Sequence, residues 1–169
     1  MIYVLSLYVG DNNGPRTVCS GLVPFMTAED LLKLDTVVAV CNLKPAKIRG
    51  VESQAMLLAA SPPPSDSSLT PDRPTAISVL RPPPDCAPGD PVFFASHRPA
   101  FFESHRASTG NQFKKVGRTN WDLIRKGLRV AGDRNICWES EGSDIPADIM
   151  ITNKGNVKCQ EDWTGGEVS

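Results

Sequence analysis

The chain has 169 residues, of which 40% are hydrophobic and 22% charged, and its formal net charge is −1. That composition excludes wholesale disorder, collagen-like repeats and coiled coil, and the length suits one domain or a domain and a half around one continuous core. No run approaches the roughly 18 apolar residues that span a bilayer, and the five cysteines stand far apart with no C-x-x-C pair, so neither a disulfide framework nor a zinc site is expected and a reducing cytosol fits better.

Residues 2–9 alternate, are rich in β-branched and aromatic side chains, and lack the basic start and small-residue cleavage site of a signal peptide. Gly10-Asp11-Asn12-Asn13-Gly14-Pro15 breaks this strand and Arg16–Ser20 resumes it, which predicts a hairpin. Thr27 is placed to cap a short helix over Ala28–Lys33, whose first turn holds Glu29 and Asp30 where the helix dipole favours acids. Thr36–Cys41 and Gln54–Ala60 read as two apolar strands joined by a basic turn. The Pro- and Ser-rich segment 61–74 cannot bury enough surface to order itself and reads as a flexible insert. Strands at Ala76–Leu80 and Val92–Ala95 flank a proline-rich turn over 82–90. Short strands, tight turns and no strand-helix-strand rhythm predict a small closed or partly closed barrel over residues 1–95. Beyond it, Asn120–Gly127 reads as a short capped helix ending at glycine, and the last 35 residues as short strands with acidic turns, packed by Trp138 and Trp163.

Charge is unevenly spread. Residues 1–96 carry −2, residues 97–134 carry +6 and residues 135–169 carry −5. Counterion release lets such a local cluster bind a polyanion on a nearly neutral protein, although a solvated charged face looks the same in sequence. Catalytic signatures are missing: Ser20 lacks the glycines of a nucleophile elbow, no phosphate loop or dinucleotide fingerprint occurs, and the repeated Ser-His-Arg at 96–98 and 104–106 does not make a metal site. The chain therefore reads as a binder and not an enzyme, with no catalytic residue, metal or cofactor expected.

The informative stretch is Cys41–Met56. It joins two apolar strands by a turn that holds Lys44, Lys47 and Arg49 against the single acid Glu52, with Pro45 and Gly50 constraining the backbone. Lysine offers phosphate a point charge and arginine a bidentate fork, while Asn42 and Met56 can touch bases or sugars.

The runs Pro15-Arg16-Thr17-Val18-Cys19-Ser20-Gly21-Leu22-Val23 and Val40-Cys41-Asn42-Leu43-Lys44-Pro45-Ala46-Lys47-Ile48-Arg49-Gly50-Val51, with Ser53 and Met56, resemble the tRNA-binding domain family. Its members include endothelial monocyte-activating polypeptide II, the fungal tRNA-aminoacylation cofactor and C-terminal appendices of tyrosyl- and methionyl-tRNA synthetases. The resemblance implies an all-β oligonucleotide-binding (OB) fold, a five-stranded Greek-key barrel over 1–95 with its first strand missing. A polypeptide-II-like β-rich extension over 96–169 would pack on it as a pseudo-dimer. It implies a non-catalytic module that binds tRNA by backbone and shape and assists a methionyl-, glutamyl- or tyrosyl-type synthetase as cofactor or appendix. The implied tRNA contacts are Asn42, Lys44, Lys47, Arg49, Ser53, Met56, Lys114 and Lys115. A cytoplasmic monomer without membrane association is expected. The alternative is a protein scaffold in a multi-synthetase complex with little RNA affinity.

Overall fold

The computed structural model describes residues 1–63, 76–98, 114–140, 142 and 144–169. Most of the insert expected at 61–74, and the second Ser-His-Arg at 104–106, lie outside them.

The opening hairpin forms as the alternation predicts. Strands β1 (Tyr3–Leu7) and β2 (Arg16–Ser20) pair antiparallel with Leu5 opposite Val18. Period two turns Tyr3, Leu5 and Leu7 onto a buried cluster around Val18, Leu22 and Leu57, and leaves Val4 and Ser6 exposed. Helix α1 (Ala28–Leu32) follows, capped by the Thr27 hydroxyl, which accepts the Asp30 N–H at 3.1 Å. Its anchor is Leu31, 7% exposed.

The next two expected strands are shorter than their apolar runs. Thr36–Cys41 contributes only β3 (Ala39–Val40), and Gln54–Ala60 is divided into β6 (Met56–Leu57) and β7 (Ala59–Ala60). The cause is a closed ring of backbone hydrogen bonds among three buried residues. Val38 N–H donates to the Leu80 carbonyl (3.0 Å), Leu80 N–H to Leu58 (2.9 Å), and Leu58 N–H to Val38 (2.9 Å). Each segment changes partner at that residue, so each ladder stops there. On one side β3 pairs with β6; on the other β7 pairs with β8 (Ser78–Val79). The basic turn is a hairpin of its own, β4 (Ala46–Ile48) against β5 (Val51–Ser53).

The second half forms one five-stranded sheet: β10 (Leu128–Val130), β11 (Ile136–Trp138), β12 (Asp148–Thr152) and β13 (Gly155–Asn156) in that order, with β9 (Phe93–Phe94) also on β12. Phe94 lies opposite Met150 and Phe93 opposite Ile151, so a strand from the first 95 residues belongs to this sheet. The C-terminus returns to the first half, where Ala59 and Ser169 exchange backbone hydrogen bonds at 3.0 Å. The larger core cluster accordingly mixes Val38, Leu58, Ala60 and Leu80 with Leu128, Val130, Ile136, Met150 and Val168, and Trp138 and Trp163 pack on its border.

Helix α2 (Arg118–Arg125) starts two residues before the expected Asn120 and is capped by the Gly117 backbone, without a side-chain bond. It ends at Arg125, two residues before the expected Gly127, and position 127 is glycine for a steric reason: a Cβ there would stand 2.5 Å from the Glu139 carbonyl oxygen and collide with the Trp138 indole. That indole N–H donates to the Ile124 carbonyl at 2.9 Å and holds the helix end on the sheet. Among the described residues no helix is long and apolar enough to cross a membrane.

Candidate nucleic-acid interface

The β4–β5 hairpin turns in two residues. Arg49 (φ 50°) and Gly50 (φ 88°) both adopt left-handed backbone, the requirement of the type I′ turn whose twist matches its flanking strands. Glycine meets that requirement freely; arginine is strained there, and the turn places it as a cation at the hairpin tip. Lys47 lies opposite Glu52 in the ladder, and alternation aims it away from the face of Ala46 and Ile48. Lys44, Lys47 and Arg49 are all exposed.

Lys114 and Lys115 are distant in sequence and adjacent in space. A parallel bridge joins Leu43 to Val116, in which Lys44 N–H donates to the Val116 carbonyl (3.0 Å) and Val116 N–H to the Asn42 carbonyl (2.7 Å). The Asn42 side-chain amide donates to the Lys114 carbonyl at 3.4 Å. The start of the hairpin and the basic run thus share a backbone seam. Cys41 at the end of β3 registers the crowd of charge: burial pushes its thiol up, while Arg16 and Lys115 pull it down. Arg16 fastens the same point from below, through an ion pair with Asp11 (2.6 Å) and a hydrogen bond to the Cys41 carbonyl.

The expected contact residues therefore fall into two groups. Lys44, Lys47, Arg49, Lys114 and Lys115 are exposed cations. Asn42, Ser53 and Met56 are engaged within the fold. Ser53 is only 6% exposed; its hydroxyl accepts the Cys19 N–H (3.0 Å) and donates to the Ala55 carbonyl (3.0 Å), tying β5 to β2. Met56 pairs with Val40 and packs on the larger core cluster. Sequence reasoning missed Arg16 and Val116, because the signal that marks them is the pairing of segments far apart in the chain. Arg118, one of the basic residues in the charged middle of the chain, has a side chain 95% exposed just beyond the lysine pair.

One other polar cluster invites comparison with a catalytic triad. Ser96 Oγ lies 2.9 Å from His97 Nδ1 and donates to the Asp148 carboxylate, which also accepts the Ser96 N–H at 3.1 Å. The Asp148 carboxylate accepts both from the Ser96 hydroxyl and from its backbone N–H, so the arrangement caps the turn at 95–97. Among the described residues no group of three His, Cys, Asp or Glu is placed to hold a metal ion.

Residues 1–91 match the family model of the tRNA binding domain. The cytoplasmic tyrosine–tRNA ligase of Xenopus tropicalis is 32% identical over 168 residues, covering 99% of this chain and 27% of the ligase. The cytoplasmic methionine–tRNA ligase of Caenorhabditis elegans is 34% identical over 153 residues, 89% of this chain and 14% of that protein. The tRNA-aminoacylation cofactor arc1 of Schizosaccharomyces pombe is 33% identical over 144 residues, 85% of this chain and 28% of the cofactor. The chain thus spans a minor part of the length of each. Among solved structures, the C-terminal domain of Plasmodium vivax p43 superposes with a TM-score of 0.69 at 21% identity, over 99% of this chain and 85% of that one, which establishes a shared, mostly β fold. With more than half of its residues inside the family model, and a basic hairpin built to face solvent, the chain belongs to the tRNA-binding domain family.

Proposed function

We propose that this chain is a non-catalytic module which binds tRNA through its phosphate backbone and shape and assists a tyrosyl-, methionyl- or glutamyl-type synthetase as cofactor or appendix. The observation that carries the reading is the Leu43–Val116 seam, because it brings the exposed Lys114 and Lys115 beside Lys44 and the hairpin cations on adjoining backbone. Lys44, Lys47, Arg49, Lys114 and Lys115 are the phosphate contacts in this reading. Asn42 and Ser53 position the hairpin, and Met56 offers its half-buried thioether at the base. A tertiary RNA surface displays phosphates at spacings that a rigid cluster of cations matches without reading bases. The compartment proposed is the cytoplasm, named for the tyrosyl and methionyl relatives, and the state proposed is a monomer.

The test is fluorescence-anisotropy binding of total tRNA across a salt series, beside a Lys44→Ala/Lys47→Ala/Arg49→Ala variant whose folding is checked by circular dichroism. The expected result is a steep negative salt dependence, with a log–log slope smaller by about 2 to 3 in the variant. Equal weakening for every tRNA species is expected. Loss confined to one species, or no binding by the folded wild-type chain, would refute tRNA delivery and leave the scaffold reading.

A further inference from the structure

A second concentration of cations lies outside the hairpin. Lys158 is bridged antiparallel to Arg81 on one side and to Asn135 on the other. The residues beside these three in the chain include Leu80, Ile136, Val157 and Cys159, all members of the larger core cluster. Alternation therefore turns Arg81, Lys158 and Asn135 together onto the outer face. Ile136 N–H donates to the Val157 carbonyl (3.0 Å) and Cys159 N–H to the Arg134 carbonyl (2.8 Å), which makes Asn135 and Lys158 a non-hydrogen-bonded pair, the kind whose side chains lie closest.

Like charges directly opposite each other on paired strands are destabilising. Among the described residues no carboxylate, those of Asp133, Glu161 and Asp162 included, is ion-paired with Arg81, Lys158 or Arg134. Arg134 leans across the same segment, where its guanidinium donates to the Gln160 carbonyl at 3.0 Å. The Asn135 side-chain oxygen accepts from the Asn156 amide at 3.1 Å, so its own Nδ2 is the group left to bond a ligand. A guanidinium fork, an ammonium and an amide thus share one face, and together they are the donors that hold a phosphate.

Arg81 also lines a cavity of about 370 Å³, within the roughly 300–1,000 Å³ of small-molecule sites. Met26, Ile77, Val79 and the half-buried indole of Trp163 supply its apolar wall, and Gln160 and Glu161 its acceptors. An aromatic ring beside aliphatic side chains suits a planar base, whose N–H groups a carboxylate and an amide oxygen accept. One residue, Arg81, therefore joins a place for a base to a place for a phosphate. An aliphatic phosphate would leave the indole and the carboxylate unused, and a bare base would leave the opposed cations without an anion.

We infer that this is a nucleotide site: the base enters the cavity against Trp163, and the phosphate bridges Arg81 and Lys158 and accepts from Asn135. A free nucleoside monophosphate and an unpaired nucleotide of an RNA present this same chemistry. No residue of the site belongs to the β4–β5 hairpin or to the Lys114 and Lys115 run, so the inference stands apart from the proposed tRNA contacts.

The test titrates the whole isotope-labelled chain with AMP, GMP, CMP and UMP, with the matching nucleosides and with inorganic phosphate, while NMR follows the Trp163 indole and Asn135 amide signals. Saturable shifts of both by a nucleoside monophosphate at millimolar concentration are expected, with its nucleoside and phosphate alone each about tenfold weaker. Arg81→Gln and Lys158→Gln change only the outer face; each should weaken the nucleotide severalfold and leave the nucleoside unchanged, with folding checked by circular dichroism. The Lys44→Ala/Lys47→Ala/Arg49→Ala variant should bind the nucleotide as the wild type does. A single-stranded oligonucleotide of the preferred base that shifts the same signals at lower concentration assigns the site to unpaired RNA, and a tighter mononucleotide assigns it to the free nucleotide. Three outcomes overturn the inference: no shift of Trp163 by any of the four nucleotides at millimolar concentration, phosphate alone binding as tightly as the nucleotide, or unchanged nucleotide affinity in the folded Arg81→Gln and Lys158→Gln variants. None of these touches tRNA binding by the hairpin, which anisotropy reads separately.

Discussion

The backbone N–H of Lys44 donates to the Val116 carbonyl at 3.0 Å, and this bond joins the hairpin to the most basic part of the chain. In the proposed reading the two cation groups contact one RNA surface. Lys114→Ala with Lys115→Ala is therefore expected to weaken binding of all tRNAs and lower the salt slope by about 1 to 2. Val116→Pro removes the returning N–H, and so weakens binding with no charge removed. Anisotropy titrations beside circular dichroism check both, and wild-type affinity in a folded Val116→Pro variant would count against the seam.

The turn residues predict opposite responses of stability and binding. Gly50 has nothing within 4 Å of a built Cβ, so its constraint is its φ of +88° alone. Gly50→Ala is expected to cost about 1 kcal/mol or more in chemical unfolding. Arg49→Gly relieves the left-handed strain but gives up a cation. Its stability should hold or rise while tRNA affinity falls. A variant that lost stability without losing affinity would place Arg49 outside the interface.

Ser53→Ala separates positioning from contact. It strips a buried hydroxyl from the Cys19 N–H and the Ala55 carbonyl, and the expected loss is about 1–3 kcal/mol. Because no charge is removed, the folded variant should bind tRNA more weakly with an unaltered salt slope, unlike any lysine variant. A changed slope would contradict a positioning role.

The shared core makes a prediction about cooperativity. Leu80 and Leu128 are 0% and 2% exposed in one cluster, although they come from the two halves of the chain. Leu80→Ala and Leu128→Ala should each lower stability by about 2–5 kcal/mol, and each should shift one common transition in calorimetry. Two separable transitions would mean that the halves fold independently.

Local rules foresaw what local chemistry controls. The Thr27 cap and the opening hairpin follow from side-chain preferences and period-two alternation within a few residues. The strands around Val38 and Leu58 came out shorter than expected because continuous apolar runs record burial without revealing how many partners a strand serves. Helix α2 began early because Gly117 caps through its backbone, which leaves no signature in side chains.

The basic character of Lys44, Lys47 and Arg49, and the turn that presents them, were determined by the sequence alone, since Gly50 and the flanking strand formers act over single residues. The family, too, was legible in the motif they form. Only the tertiary structure decided that Lys114 and Lys115 join them, that Ser53 faces inward, and that β9 completes the sheet of the second half. These outcomes depend on backbone hydrogen bonds between distant segments, and such pairing is selected by the closure of a common core, to which no local stretch of residues holds the key.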